Sequence, residues 1–300
     1  LTDLTIYIPT IGRATEEQQA TLRYLADTRF GLEGRVVLVA HEDEVKALST
    51  LRHDTVVLEC PMQGGDGTLK GLGPTRQWIL DNHDVETMGP NIIMADDDLQ
   101  FFARRFDEQS KFRRLEGPAE HEELFDRLDQ MLHAVPVVGL ADRSGANRLA
   151  PPVVMTTRMF ALIGVHVPIA RRIGARFDRV PLQEDFDFIL QHLTLGMPNA
   201  VLTTHCKDDE RSNAPGGCST YRNPERMSAS ANKLHSLFPD VVKVVEKETP
   251  SWGNGMTTRT DVNVQWKKAL KRGTEDAALV GLDPFPEPDW SGLAPEWEVL

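Results

Sequence analysis

The stretch Asn91-Ile92-Ile93-Met94-Ala95-Asp96-Asp97-Asp98-Leu99-Gln100-Phe101 decides how this chain reads. Residues 91–95 form a short run with apolar side chains on both alternating faces, too short for a helix, which predicts a buried parallel strand. Such a strand in an open α/β sheet ends at the edge where ligands bind. Three adjacent carboxylates at that edge repel one another unless a cation neutralises them. Hard divalent ions prefer oxygen ligands, and Mg²⁺ is usually held by one or two carboxylates together with substrate phosphates. A solvated acidic turn is the competing reading, and the triplet alone does not separate the two.

Upstream, residues 4–9, 35–40 and 55–58 read as strands. Between them lie two helical stretches, one opened by Thr15 with Gln18 as its capping-box partner, the other carrying Val45 and Leu48. The β-α-β-α-β alternation predicts an α/β fold: a Rossmann-type, doubly wound, mostly parallel sheet with helices on both faces. Residues 61–74 are glycine-rich and lead into a helix at Thr75-Arg76-Gln77-Trp78, with Pro74 suited to its first turn. Free amides at such a helix start suit a phosphate. The spacing matches neither a Walker loop nor the dinucleotide fingerprint, so a plain surface loop reads equally well.

Downstream, Arg104, Arg105, Lys111, Arg113 and Arg114 form a basic, amphipathic region, followed by a helix over about 120–133 bearing Leu124, Leu128 and Leu132. Strands are expected at 135–140, 153–156 and 159–165, with Arg171, Arg172 and Arg176 beyond them. A second acidic cluster, Glu184-Asp185-Phe186-Asp187, opens a helix, where the macrodipole favours carboxylates whatever their function. A short strand at 200–203 precedes His205. Zinc on His205, Cys206 and Cys218 finds no fourth ligand and no finger spacing. Residues 232–245 read as helical with a break at Pro239, Gly253-Asn254-Gly255 as a turn, and 264–270 as a short basic helix. Beyond Arg272 there is no Lys or Arg, and the tail with Trp290 and Trp297 either moves as an acidic segment or docks its aromatics on the body. The expected organisation is one domain over 1–273, with a nucleotide-binding part to about 103, an acceptor part from 104, and a tail over 274–300.

The formal net charge of −12 (33 Lys+Arg against 45 Asp+Glu) argues against a broad, non-specific nucleic-acid surface but leaves room for a local groove. No run approaches a membrane span. Three cysteines are too few for a disulfide framework, and Leu1-Thr2-Asp3-Leu4 lacks a signal peptide's basic region, so a cytoplasmic location is expected.

Taken in order, these features resemble the nucleotide-sugar glycosyltransferases of the GT-A fold across roughly residues 4–222. The Asp96–Asp98 triplet corresponds to their DXD motif, residues 61–74 to the glycine-rich loop, Glu184-Asp185 to the xED motif and His205 to the C-terminal histidine. The resemblance implies that Asp98 and His205 hold Mn²⁺ or Mg²⁺, with Asp96 on the metal, its waters or the ribose, and Asp97 between them. It implies that Arg76, Gly71 and Gly73 approach the diphosphate or sugar, that Thr10, Gly12 and Arg13 border the nucleotide, and that Glu42 or Glu44 reaches the base or ribose. Asp185, beside Glu184, becomes the general base of an inverting enzyme, and Tyr221 and Arg222 belong to a lid. A UDP-sugar donor is expected as the commonest for this fold.

The segments Ile6–Arg13 and Pro74–Gln77, with the acidic strand, are also similar to phage-encoded glycosyltransferases associated with TET-type dioxygenases. That similarity implies 5-hydroxymethylcytosine in DNA as acceptor, with the basic groups at 104–114, 171–176 and 267–272 on phosphates and the target base out of its stack. The overall acidity runs against it. A glycan, protein or small-molecule acceptor, a nucleotidyltransferase on a related sheet, and a binding protein without catalysis are the alternatives.

Overall fold

The computed structural model describes residues 4–13, 15, 18–26, 36–49, 56–60, 71–105, 107–108, 110–148, 151–209, 222–252, 256–279, 285–286, 288–290 and 293. Strand and helix alternate at first: β1 (Thr5–Pro9), α1 (Ala20–Ala26), β2 (Val36–His41), α2 (Glu42–Leu48), β3 (Val56–Cys60), α3 (Leu72–Asn82), the short α4 (Val85–Met88) and β4 (Asn91–Ala95). Next come β5 (Leu99–Arg104), β6 (Phe112–Arg114), α5 (Pro118–Leu132), β7 (Val137–Asp142), α6 (Arg143–Ala146), β8 (Val153–Met155), β9 (Leu162–His166), α7 (Val167–Arg172), α8 (Glu184–Leu193) and β10 (Asn199–Asp209). The described chain continues with α9 (Pro224–Leu237), β11 (Val242–Trp252), β12 (Met256–Val264) and α10 (Trp266–Leu279).

The main sheet runs in the order β3-β2-β1-β4-β9-β7-β10-β5-β6, with β8 alongside β10. The strands from β3 to β4 pair parallel, while β5, β8 and β9 run against the rest. The carboxyl ends of β1, β4, β7 and β10 therefore share one edge. Period-two alternation divides the core. Tyr7, Ile92 and Met94 face α3, α7 and α8, whereas Ile6, Ile8 and Ile93 face α1 and α5. Burial on both faces is why these strands are mostly apolar, with Thr5 and Asn91 polar at their first positions. Among the described residues, no helix is long and apolar enough to cross a membrane.

The basic stretch after Phe102 is a strand pair, in which Phe102 faces Arg114 and Arg104 faces Phe112. Two expectations change. The helical reading of 232–245 holds only to Leu237. Past Pro239, the β-branched run Val241-Val242-Lys243-Val244-Val245 pairs with β12 instead. The basic helix at 264–270 begins at Trp266 and continues to Leu279, through the expected boundary at 273. The described part of the tail is docked: Leu293 is buried, its carbonyl accepts from Arg127 Nη1 at 3.3 Å, and Phe285 and Trp290 pack on the same cluster. The turn at 253–255 lies outside the described residues.

Candidate active site

β4 delivers its three aspartates to the carboxyl edge, and α1 holds their backbone. Thr21 Oγ1 donates to the Asp96 carbonyl (2.5 Å) and accepts from the Leu99 N–H (2.8 Å), while the Thr21 N–H donates to the Asp97 carbonyl (3.1 Å). The three side chains then diverge. Asp97 turns inward, where Thr10 Oγ1 donates to one oxygen (2.6 Å) and Arg13 Nη1 to the other. Gln19 Nε2 locks that arrangement by donating to Thr10 Oγ1 (2.8 Å) and to the Arg13 carbonyl (2.6 Å). Burial lifts the Asp97 carboxyl to about 6 even with Arg13 opposing it. Asp96 and Asp98 keep part of their side chains in solvent, 28% and 21%. Asp98 lies 2.8 Å from Arg13 Nη1.

Arg76 joins this turn to the second acidic motif. Its guanidinium is only 1% exposed, with Nη2 2.8 Å from Asp96 and Nη1 2.9 Å from Glu184. Burial raises Asp96 to about 7; Arg76 lowers it, and Asp98, Asp97 and Glu184 add to the rise. Asp185 rises likewise to about 7, through burial first and the charge of Glu184 second. The acidic helix start is thus more than charge compensation. Asp187 is framework: fully buried, it takes a forked pair from Arg179 (2.8 and 3.0 Å) and a hydrogen bond from Gln191 Nε2 (3.1 Å).

Several expected roles shift. Arg76, expected to approach the diphosphate or sugar, lies between two carboxylates, Asp96 and Glu184. Gly73 lets α3 approach α8, since a Cβ there would lie 2.7 Å from the Phe177 carbonyl oxygen and 3.3 Å from Glu184 Cβ. Gly71 caps α3, and the glycine-rich residues 61–70 lie outside the described residues. Gly12, at φ 68°, donates its N–H to Glu44 Oε1 at 2.5 Å, so Glu44 rather than the exposed Glu42 meets the loop after β1. Arg171 donates to the Leu80 and His83 carbonyls at the far edge, capping α3 rather than lining a groove. Tyr221 lies outside the described residues, and Arg222 is exposed ahead of α9.

His205 is a correction. The expected strand ended at 203, but β10 runs on to Asp209, which places His205 inside it, opposite Ala103. Asp209, opposite Leu99, is four residues further, about 13 Å along the strand. The imidazole is buried among the charges of Arg127, Glu123, Glu120 and Arg113, and burial lowers it to about 4. It cannot share an ion with Asp98. Asp209, exposed, is the last described residue of the strand instead, its carboxyl raised by partial desolvation and then by the charge of Asp98. Cys206 is buried in the core, so the zinc reading has no support there.

Among the described residues, no three His, Cys, Asp or Glu side chains converge as a ready-made metal cage. The donors at the edge are carboxylate oxygens, Asp98 with Asp96 or Asp209, and Asp96 and Asp209 are raised by burial and by the charge of Asp98. That chemistry fits Mg²⁺ or Mn²⁺ completed by water and phosphate oxygens.

Sequence reasoning passed over Gln19, Thr21, Arg158, Lys207 and Asp209. Lys207 is fully buried, with Nζ 3.2 Å from Asp142 and 3.8 Å from the centroid of the Phe160 ring. The residues past Thr203 are nearly all polar, so no local signal marked Lys207 and Asp209.

A family model described as TET-associated glycosyltransferase matches residues 4–210. No curated protein matches the sequence. Among solved structures, S. aureus TarS 1–349 in complex with UDP-GlcNAc is similar at 14% identity, covering 78% of this chain and 67% of that one, with a TM-score of 0.48. The mannosyltransferase PcManGT from Pyrobaculum calidifontis, in complex with GDP-Man and Mn²⁺, is 13% identical over 93% and 76% of the two chains, at 0.47. Glucosyl-3-phosphoglycerate synthase from Mycobacterium tuberculosis, with Mn²⁺, UDP and phosphoglyceric acid, is 12% identical over 88% and 90%, also at 0.47.

Proposed function

The chain belongs to the TET-associated glycosyltransferase family, and from that premise we propose that it moves a sugar from a nucleoside-diphosphate donor to a hydroxyl on a modified DNA base. The carboxyl edge of the sheet is the active site in this reading. The observation that carries it is Arg76, buried between Asp96 and Glu184, which draws two acidic motifs distant in sequence onto one edge. A divalent cation held by Asp98, with Asp96 or Asp209, would stabilise the charge that develops on the leaving diphosphate.

The chain's own residues supply the rest. Arg13, Thr10 and Gln19 fix Asp97 and so fix the turn that presents Asp96 and Asp98. Glu184 is held by Arg76, leaving Asp185 as the proton acceptor for the attacking hydroxyl. As the acceptor oxygen bonds to the anomeric carbon, the bond from that carbon to the phosphate oxygen breaks and the proton passes to Asp185. Such a base contributes roughly 10²–10⁴-fold. A single displacement inverts the anomeric centre. The donor is a nucleotide sugar, with uridine the first base to try.

A thermal-shift panel of nucleoside diphosphates and nucleotide sugars, with and without Mn²⁺, identifies the donor. Incubation with 5-hydroxymethylcytosine DNA and nucleoside mass spectrometry then tests the acceptor, with a hexose-sized mass gain expected. An unshifted nucleoside with every stabilising donor would remove DNA from the reading. Pyrophosphate released from a nucleoside triphosphate would point to nucleotidyl transfer instead.

A further inference from the structure

The loop between β8 and β9, residues 156–161, is held in an uncommon backbone geometry. Among the described residues, three non-glycine positions have a left-handed φ: Thr156 (55°), Ala161 (63°) and Gln183 (60°). The first two bracket this loop, and the third immediately precedes Glu184-Asp185. Side chains with a Cβ avoid this region, and such residues gather where the surrounding structure enforces a functional shape. Here Asn199 does the enforcing. Its carbonyl accepts the Thr156 N–H (2.8 Å), its Oδ1 the Thr157 N–H (3.2 Å), and its Nδ2 donates to the Thr157 carbonyl (2.6 Å). At the loop's other end, the Ala161 carbonyl accepts the Asp96 N–H (2.7 Å), which fastens the loop to the acidic turn itself.

Within the loop, Met159 is buried against Gly139, while Arg158 is exposed. The Arg158 guanidinium carbon lies 4.7 Å from the centroid of the Phe160 ring and 5.8 Å from that of Phe186, and its charge acts on Asp185. Both rings are supported in turn. Lys207 Nζ sits 3.8 Å from the Phe160 centroid, and Trp266 packs edge-to-face on Phe186 with centroids 5.2 Å apart. An arginine stacked on rings uses its face and keeps its N–H edge for a forked oxyanion partner.

We infer that Arg158 is an acceptor-positioning residue, binding a phosphate of the acceptor strand beside Asp185 while its guanidinium is held over Phe160 and Phe186. The inference rests on the acceptor reading above, and residue 158 has no role assigned in it. The test measures binding of a 5-hydroxymethylcytosine oligonucleotide by fluorescence anisotropy over about 50–200 mM NaCl, beside donor turnover and transfer rates. Wild type, Arg158→Ala and Arg158→Lys are compared, with Arg172→Ala as control: α7 follows β9, which runs against β4, so exposed Arg172 lies, like Arg171, at the edge opposite the acidic turn and off the expected phosphate track. Arg158→Ala is expected to weaken oligonucleotide binding and raise the acceptor KM about tenfold, beyond any change in donor turnover, and to reduce the salt slope by about one. Arg158→Lys keeps the charge without the fork and falls between, and the control behaves as wild type.

Unchanged binding and salt slope in Arg158→Ala would overturn the inference, as would a rise in donor KM in place of acceptor KM. Donor turnover by a wild-type protein that binds no oligonucleotide would sink the inference and leave the glycosyltransferase site standing. Arg158-dependent binding without turnover of any donor would do the reverse.

Discussion

With Asp185 as the proposed base, its environment sets the pH at which transfer can run. Burial and Glu184 raise its carboxyl to about 7, so the transfer rate should climb with pH through that value and level off above it. Asp185→Asn should cost roughly 10²–10⁴ in kcat, read from steady-state rates. The same shift fixes a sign for stability. The folded carboxyl is raised to about 7, against an ordinary aspartate value of 3.8 in the unfolded chain. Its stabilising contribution is therefore full below the lower value and is lost as pH rises through the upper one. Paired thermal melts should show Asp185→Asn more stable than wild type at about pH 8, with the difference shrinking toward about pH 5. Arg76 makes a second residue-scale case. Arg76→Met strands buried Glu184 and partly buried Asp96 without their cation and should cost about 3–5 kcal/mol in urea unfolding. The sequence marked Arg76 as a cation near the site but not as a bridge, because its partner Glu184 is 108 residues away and a local pattern carries no such pairing.

At the scale of elements, α10 crosses α8 through Gly273. An alanine inside a helix normally gains about 1 kcal/mol over glycine. Here a Cβ would lie 2.3 Å from the Leu193 carbonyl oxygen and 2.5 Å from the Gly196 nitrogen, both backbone atoms. Gly273→Ala should therefore destabilise by about 1–3 kcal/mol, seen as a lowered Tm, and a raised Tm would mean the two helices do not meet there. Strands with β-branched, doubly buried runs, such as β1, β2 and β4, were legible to within a residue or two because their burial is written into their own side chains. β10 was not. Its later residues, Thr203 to Asp209, are mostly polar, and the burial of Thr203 to Lys207 comes from β7 and β5 on either side. That hidden continuation moved His205 away from the acidic turn and brought Asp209 to it. The segment 241–245 misled for a related reason, since its β pairing depends on β12, later in the chain.

At the scale of the whole molecule, a net charge of −12 means that any DNA contact must be local, which suits one arginine loop beside the acidic edge better than a broad basic face. The composition of the tail left two outcomes open, and the buried Leu293 chooses docking for the part described. Leu293→Ala should lower stability by about 2–5 kcal/mol in chemical denaturation without touching the carboxyl edge. Family, fold class and the two acidic motifs were all within reach of the sequence; the side-chain partners that convert those motifs into one site were not. The most direct measurement compares wild type and Asp98→Ala for release of nucleoside diphosphate from a nucleotide sugar with Mn²⁺ supplied. Wild type is expected to release it and Asp98→Ala to fall to background, whereas equal release by both would contradict a cation gripped at the acidic turn.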